Sequence, residues 1–170
     1  MKVLGIDPGV ATTGWGVVER RGDRLVALDH GVILTPAKTP LADRLCRIAR
    51  ELRALVARVQ PDAAAIEELF FAKESRSAAI VGHGRGVLLL ALAELGLPIH
   101  EYNPKQVKVA LTGHGGAEKF QMQNMIQRLL GLPEIPKPDD AADALAIALC
   151  HLNTFVPPAA LAGPAAGRGR

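Results

Sequence analysis

Apolar and polar positions change their spacing several times along the chain, and each change marks an element. Residues 3–6 are continuously apolar and stop at Asp7, where Pro8-Gly9 breaks the run; this predicts a buried strand. A second strand is predicted over about residues 13–19, a turn at Arg20-Arg21-Gly22-Asp23, and a third strand over 24–35. Their short connections make an antiparallel meander. Residues 40–60 read as helix: Leu41, Leu45, Ile48, Leu52, Leu55 and Val59 recur every three or four positions, among Arg44, Arg47, Arg50 and Arg53. Pro61 ends it. Residues 62–67 are apolar between their ends, as in a central parallel strand.

A helix over 74–95, a short strand over 98–102 and a helix capped by Asn103 and opened by Pro104 follow. Residues 113–116 form a loop, 117–130 a helix, and 139–152 the last helix. The Ala/Pro/Gly-rich end predicts a disordered tail at 156–170 after a single domain at 1–155. The order predicts an α/β fold: one mixed five-stranded sheet, three antiparallel strands then two parallel, with helices on both faces. The first and fourth strands then lie side by side, and Asp7 and Glu67 emerge at one sheet end, where open α/β sheets place their sites.

Four acids in three separated segments therefore stand out: Asp7, Glu67, Asp140 and Asp143. Buried acids require a cationic partner. Carboxylates converging from strand ends and a helix suit a hard, oxygen-liganded ion such as Mg²⁺, and that ion suits phosphodiester chemistry. Each acid also has a plainer reading. Asp7 starts a turn. Glu67 and Glu68 face opposite ways on a strand, and Glu67, which ends the apolar run, is the inward one. Asp139 follows Pro138 as a natural N-cap, with Asp140 in the first turn. Capping explains Asp143 poorly, because it lies a turn deeper in a helix with almost no polar face. Asp140 and Asp143 share a helix face and would repel without a common ligand.

Phe70-Phe71 follows the Glu67 strand and either packs in the core or supplies a wedge that stacks on an unpaired base. Lys73, Arg76, Lys105, Lys108 and Lys119 are candidate phosphate-backbone contacts, against the reading of an ordinary solvated face. His114 sits in the Gly113-His114-Gly115-Gly116 loop as a catalytic or DNA-contacting candidate; the loop lacks the Gly-Lys-Ser/Thr ending of a nucleotide P-loop. Gly82, Gly84 and Gly86 cost a helix about 1 kcal/mol each relative to Ala. A close helix contact would offset that cost: either a homodimer built on the apolar run 87–95, or packing against the chain's own sheet.

At 170 residues, 49% hydrophobic and 22% charged, the chain is long and apolar enough for one cored domain. A net charge of +3 with some acids withdrawn into a site leaves a basic surface, which favours polyanions. Cys46 and Cys150 lie in apolar helical patterns and read as buried, reduced thiols in a cytoplasmic protein. The first apolar run is too short for a signal peptide and residues 88–93 are too short to cross a membrane.

Five motifs in order, Gly5-Ile6-Asp7-Pro8-Gly9, Ala65-Ile66-Glu67-Glu68-Leu69-Phe70, Gln106-Val107-Lys108, Gly115-Gly116-Ala117-Glu118-Lys119 and Asp140-Ala141-Ala142-Asp143-Ala144-Leu145-Ala146-Ile147-Ala148, together resemble the crossover junction endodeoxyribonuclease family, RuvC. The resemblance implies a ribonuclease-H-like fold, a homodimer, and resolution of Holliday junctions with partnership of the RuvA–RuvB branch-migration complex. It implies metal ligation by Asp7, Glu67, Asp140 and Asp143, an aromatic at Phe70 near the junction centre, and backbone-binding lysines at Lys108 and Lys119. Some family members carry His at the position of Asp143. Two Mg²⁺ ions per site, with Mn²⁺ as a substitute, would leave 5′-phosphate and 3′-hydroxyl ends. Two rivals remain at this point. The first motif is also similar to the phosphate loop of actin-like ATPases and sugar kinases, which need a second domain and a second Asp/Gly loop. A non-catalytic junction-binding module would bind DNA without using the acids.

Overall fold

A computed structural model describes residues 1–68 and 76–155. Five strands form one sheet in the order β3-β2-β1-β4-β5. β1 (Lys2–Asp7), β2 (Thr12–Arg21) and β3 (Arg24–Leu34) are the antiparallel meander, turned at Gly22, whose positive φ of 60° suits a residue without a side chain. β4 (Ala63–Glu67) lies parallel to β1, with Gly5 beside Ala65 and Ile6 beside Ile66, and β5 (Ile99–Tyr102) lies parallel to β4. The expected mixed ribonuclease-H-like sheet is the one observed.

Alternation along β1 and β4 divides the core. Leu4, Ile6, Ala64 and Ile66 face α1 (Leu41–Val59) and α2 (Arg76–Glu94). Val3 and Ala65 face α3 (Pro104–Thr112), α4 (Lys119–Leu130) and α5 (Asp139–Thr154). α1 buries Ile48, Leu52 and Leu55 as its period dictates. Cys46 lies two residues from Ile48, about 200° around the helix, so it is exposed; only Cys150 is a buried thiol, correcting the expectation for the pair.

α5 decides where the acids go. It is buried almost throughout, with Ala144, Leu145, Ala148 and Leu149 at 0% exposure. It lies unusually close to the sheet because two strand glycines leave room. A β-carbon on Gly5 would collide with the Ala144 carbonyl oxygen, and one on Gly14 with the Asp140 carbonyl oxygen. Gly5→Ala or Gly14→Ala would lift the helix and its acids off the sheet.

The glycine-containing α2 packs partly inward. Gly84 admits Val10, whose Cγ2 would stand 2.7 Å from an added β-carbon, and Leu88, Ala91 and Leu92 join the core of the first face. Leu90 at 58% and Leu95 at 44% exposure point away, and a β-carbon on Gly86 would meet nothing within 4 Å. The run 87–95 is therefore split between internal packing and an outer apolar face. The expected tail at 156–170 lies outside the described residues, as do Phe70, Phe71 and Lys73 and the side chain of Arg76.

Candidate active site

β1 ends at Asp7 because Pro8 cannot continue the ladder and Gly9 turns the chain. β4 ends beside it at Glu67, where Glu68 N–H already bonds the Tyr102 carbonyl at 2.8 Å. Glu67 turns inward and Glu68 is exposed, as the apolar run implied. Asp7, Glu67 and Asp143 line one cleft of about 200 Å³ together with Lys108 and Lys119. Asp140 lines a second depression with Gly9, Thr12 and Arg44, its carbonyl against Gly14 of β2. The two α5 acids thus open into neighbouring depressions, although a three-residue offset leaves them only about 60° apart around the helix.

Electrostatics bind these groups into one system. Burial first, and then the charges of Glu67, Asp143 and Asp140, against a lowering by Lys119, together raise the Asp7 carboxyl to about 7. Glu67 is raised by burial and then by Asp143. Asp143 is raised chiefly by burial, with Lys119 opposing and Asp139 and Asp140 adding to it. The ionised forms of Asp7, Glu67 and Asp143 are thus disfavoured by burial and by neighbouring acids, and a cation would relieve them. Among the described residues, no three such side chains are arranged to hold a metal ion as they stand. The donor set of carboxylate oxygens nonetheless fits a hard divalent ion.

Asp139 is not the expected N-cap. It is the first helical residue, and Pro138 occupies the cap with no side-chain bond. The Asp139 carboxylate instead takes Lys119 Nζ at 2.6 Å and Gln123 Nε2 at 3.2 Å, tying α5 to α4. That pairing lowers the Asp139 carboxyl and raises the Lys119 ammonium. Sequence alone hid this, because the partner lies on another helix. Lys105, by contrast, faces away from the acids and lines an outer hollow with Tyr102, Gln106 and Val109. α3, which carries Lys108, starts from a capping box in which Asn103 and Gln106 exchange bonds of 2.8 and 2.9 Å. His114 lies outside the acid cleft, its Nδ1 accepting from Gly116 N–H at 3.2 Å.

A mixed sheet in this order, with acids gathered at the β1–β4 end under a buried helix, defines a ribonuclease-H-like nuclease fold. The family model for crossover junction endodeoxyribonuclease RuvC matches residues 3–151, and the chain belongs to that family. A RuvC of Chloroflexus aggregans is 56% identical over 154 residues, covering 91% of this chain and 94% of the relative. The structure of Thermus thermophilus RuvC in complex with Holliday junction substrate has a TM-score of 0.85 at 42% identity, covering 90% of this chain and 93% of that one. The yeast mitochondrial Holliday junction resolvase shares the fold, with a TM-score of 0.61 at 16% identity over 89% of this chain and 78% of that one.

Proposed function

We propose that this chain resolves four-way DNA junctions by metal-dependent hydrolysis, nicking two opposed strands symmetrically. The observation that carries the reading is Asp7: half-enclosed among three other acids, its carboxyl pushed up to about 7, and facing a cleft walled by two lysines. Asp7, Glu67, Asp140 and Asp143 would hold the divalent ions, two Mg²⁺ per site with Mn²⁺ as a substitute. Bound there, the ions would activate water toward the scissile phosphorus and stabilise the departing 3′-oxygen, leaving a 5′-phosphate and a ligatable 3′-hydroxyl.

The chain's own residues supply the rest. Lys119 neutralises part of the acid charge at rest, and its link to Asp139 holds it at the cleft mouth, where a strand phosphate would meet it. Lys108 on the opposite wall would take a flanking phosphate and fix strand register. Phe70, Lys73, Arg76 and Lys105 are proposed junction contacts, Phe70 as a stacking platform. Among the described residues the cleft holds no Ser, Thr or Cys, and its carboxylates are assigned to the ions, so water would be the attacking group. Two cuts need two sites, and the outer apolar face of α2 with Leu90 supports a homodimer. Residues 1–155 would form the nuclease domain. Partnership with RuvA–RuvB and a cytoplasmic setting follow from the family reading, and two free cysteines fit a reducing compartment.

The test is a labelled synthetic four-way junction with Mg²⁺ beside a linear duplex. Paired symmetric nicks confined to the junction and resealed by ligase are expected. Equal cutting of the duplex, or no cutting in Mg²⁺ or Mn²⁺ with junction binding intact, contradicts the proposal.

A further inference from the structure

α4 has a second face that the acid cleft does not use. Lys119 and Met122 look into the cleft, whereas Phe120, Gln121, Asn124, Met125 and Arg128 look into a neighbouring groove of about 570 Å³. Thr112 and His114 close its far side, and the residues that line it include no carboxylate. Phe120 is 68% exposed, the most exposed large apolar side chain among the described residues. Isolated exposed apolar side chains are common and need no explanation. This one stands in a built groove: Asn124 Nδ2 donates to the Phe120 carbonyl oxygen at 2.7 Å, and Arg128 is exposed with no ion pair among the described residues. The two faces share α4 as their wall, so a strand leaving the cleft past Lys119 enters the groove next.

We infer that this groove is a second DNA-contact track, which seats the nucleotides flanking the cut, with Phe120 packed on a nucleotide and Arg128 on a phosphate. The inference rests on the junction-resolving reading above. Charge selects the occupant. An exposed guanidinium, a histidine and polar amides without a carboxylate fit a phosphate-bearing strand, and continuity with the Lys108–Lys119 cleft fits the same strand. An aromatic face adds affinity without sequence readout, because every nucleotide offers an apolar face. His114 gains a place here that the loop sequence alone left open: it faces the strand, not the acids.

The test uses the full chain and a fluorescent four-way junction without divalent cations, read by anisotropy across a salt series. Phe120→Ala should weaken binding about tenfold, within the ~1–3 kcal/mol range for an aromatic on a base, and leave the salt slope unchanged. Phe120→Trp should retain binding. Arg128→Ala should weaken it and reduce the log–log salt slope by about 1, because one phosphate contact is lost. Leu28→Ala, an exposed leucine on β3 at 40% exposure, should match the wild type. Both α4 side chains are exposed, so melting temperatures should stay level and separate binding loss from unfolding. Wild-type binding and cleavage with both α4 variants indistinguishable from it would overturn the groove proposal alone. A wild type that neither binds nor cuts the junction would instead remove the resolvase reading.

Discussion

α5 carries a polar cluster at each end, and the two differ in what surrounds them. At its start, Asp7, Glu67 and Asp143 line a cleft open to solvent with Lys119 at its mouth. Near its end, His151 is completely buried. Its Nδ1 is bonded to the Tyr102 hydroxyl at 2.8 Å, its ring is stacked on Phe155 at 4.7 Å and set against His100 at 4.4 Å, and its Nε2 has no partner among the described residues. Burial pushes both clusters toward neutrality, Asp7 up to about 7 and His151 down to about 4. Desolvation alone therefore does not mark a site. The acids differ by having an opening and cationic walls beside their like-charged neighbours, so a diffusible cation can relieve them. The histidine has His100 as a like-charged neighbour but no opening to solvent, and it is a packing element.

The largest expected contrast is catalytic. Asp7→Asn should lower junction cleavage at least ~10³-fold, a loss on the scale of removing a group that acts on the transition state, while junction affinity stays within about twofold. His151→Phe should leave cleavage unchanged. Gel assays of both variants check this, and a His151→Phe loss as large as that of Asp7→Asn would erase the distinction between the ends.

Cation binding comes next. Mg²⁺ at about 100 times its dissociation constant should stabilise the wild type by about 2.7 kcal/mol and His151→Phe equally. It should stabilise Asp7→Asn much less. Thermal melts with and without the ion read this directly.

The two ends also carry opposite pH slopes. His151 binds its proton at about 4 in the fold against a reference of 6.5, so its contribution is full above pH 6.5 and is lost as pH falls toward 4. Asp7 runs the other way: its folded value of about 7 exceeds the reference 3.8, so its contribution is full below 3.8 and is lost as pH rises through 7. Without divalent ions the slopes oppose each other in the wild type. Asp7→Asn should fall more steeply than the wild type from pH 6.5 to 4, by order 1–3 kcal/mol, the His151 slope then being opposed only by the raised carboxyls of Glu67 and Asp143. His151→Phe should show stability rising over the same fall in pH. The smallest effect is at pH 8 without metal, where Asp7→Asn should be more stable than the wild type by about 1 kcal/mol, the acid being a strained group there. Denaturant melts across pH measure both slopes, and identical profiles for the two variants would refute them.

The sequence made the acid end far more legible than the histidine end, and the reason is local. Asp7 and Glu67 each terminate an apolar run, so strand placement, parallel pairing and inward direction followed from a few neighbouring residues. The period of α1 and the Asn103–Pro104 start of α3 were readable for the same reason. Features made by distant contacts were not. Gly5 and Gly14 look like ordinary strand glycines until α5 lies against them. Asp139 looks like a cap until Lys119 arrives from α4. Cys46 follows an apolar pattern but falls on the outer side of α1. That Asp140 and Asp143 open into different depressions shows only once α5 is seated on the sheet, and His151 becomes a buried cluster only when β5 and Phe155 close over it.

The carboxyl of Asp7 offers the most direct measurement: its titration followed by carbon NMR in the wild type, with and without Mg²⁺. A midpoint near 7 without the ion, moving down by more than a unit when Mg²⁺ is added, is the predicted result. A midpoint near the ordinary carboxylate value of about 4, unmoved by Mg²⁺, would contradict a cation-seeking site at the start of α5.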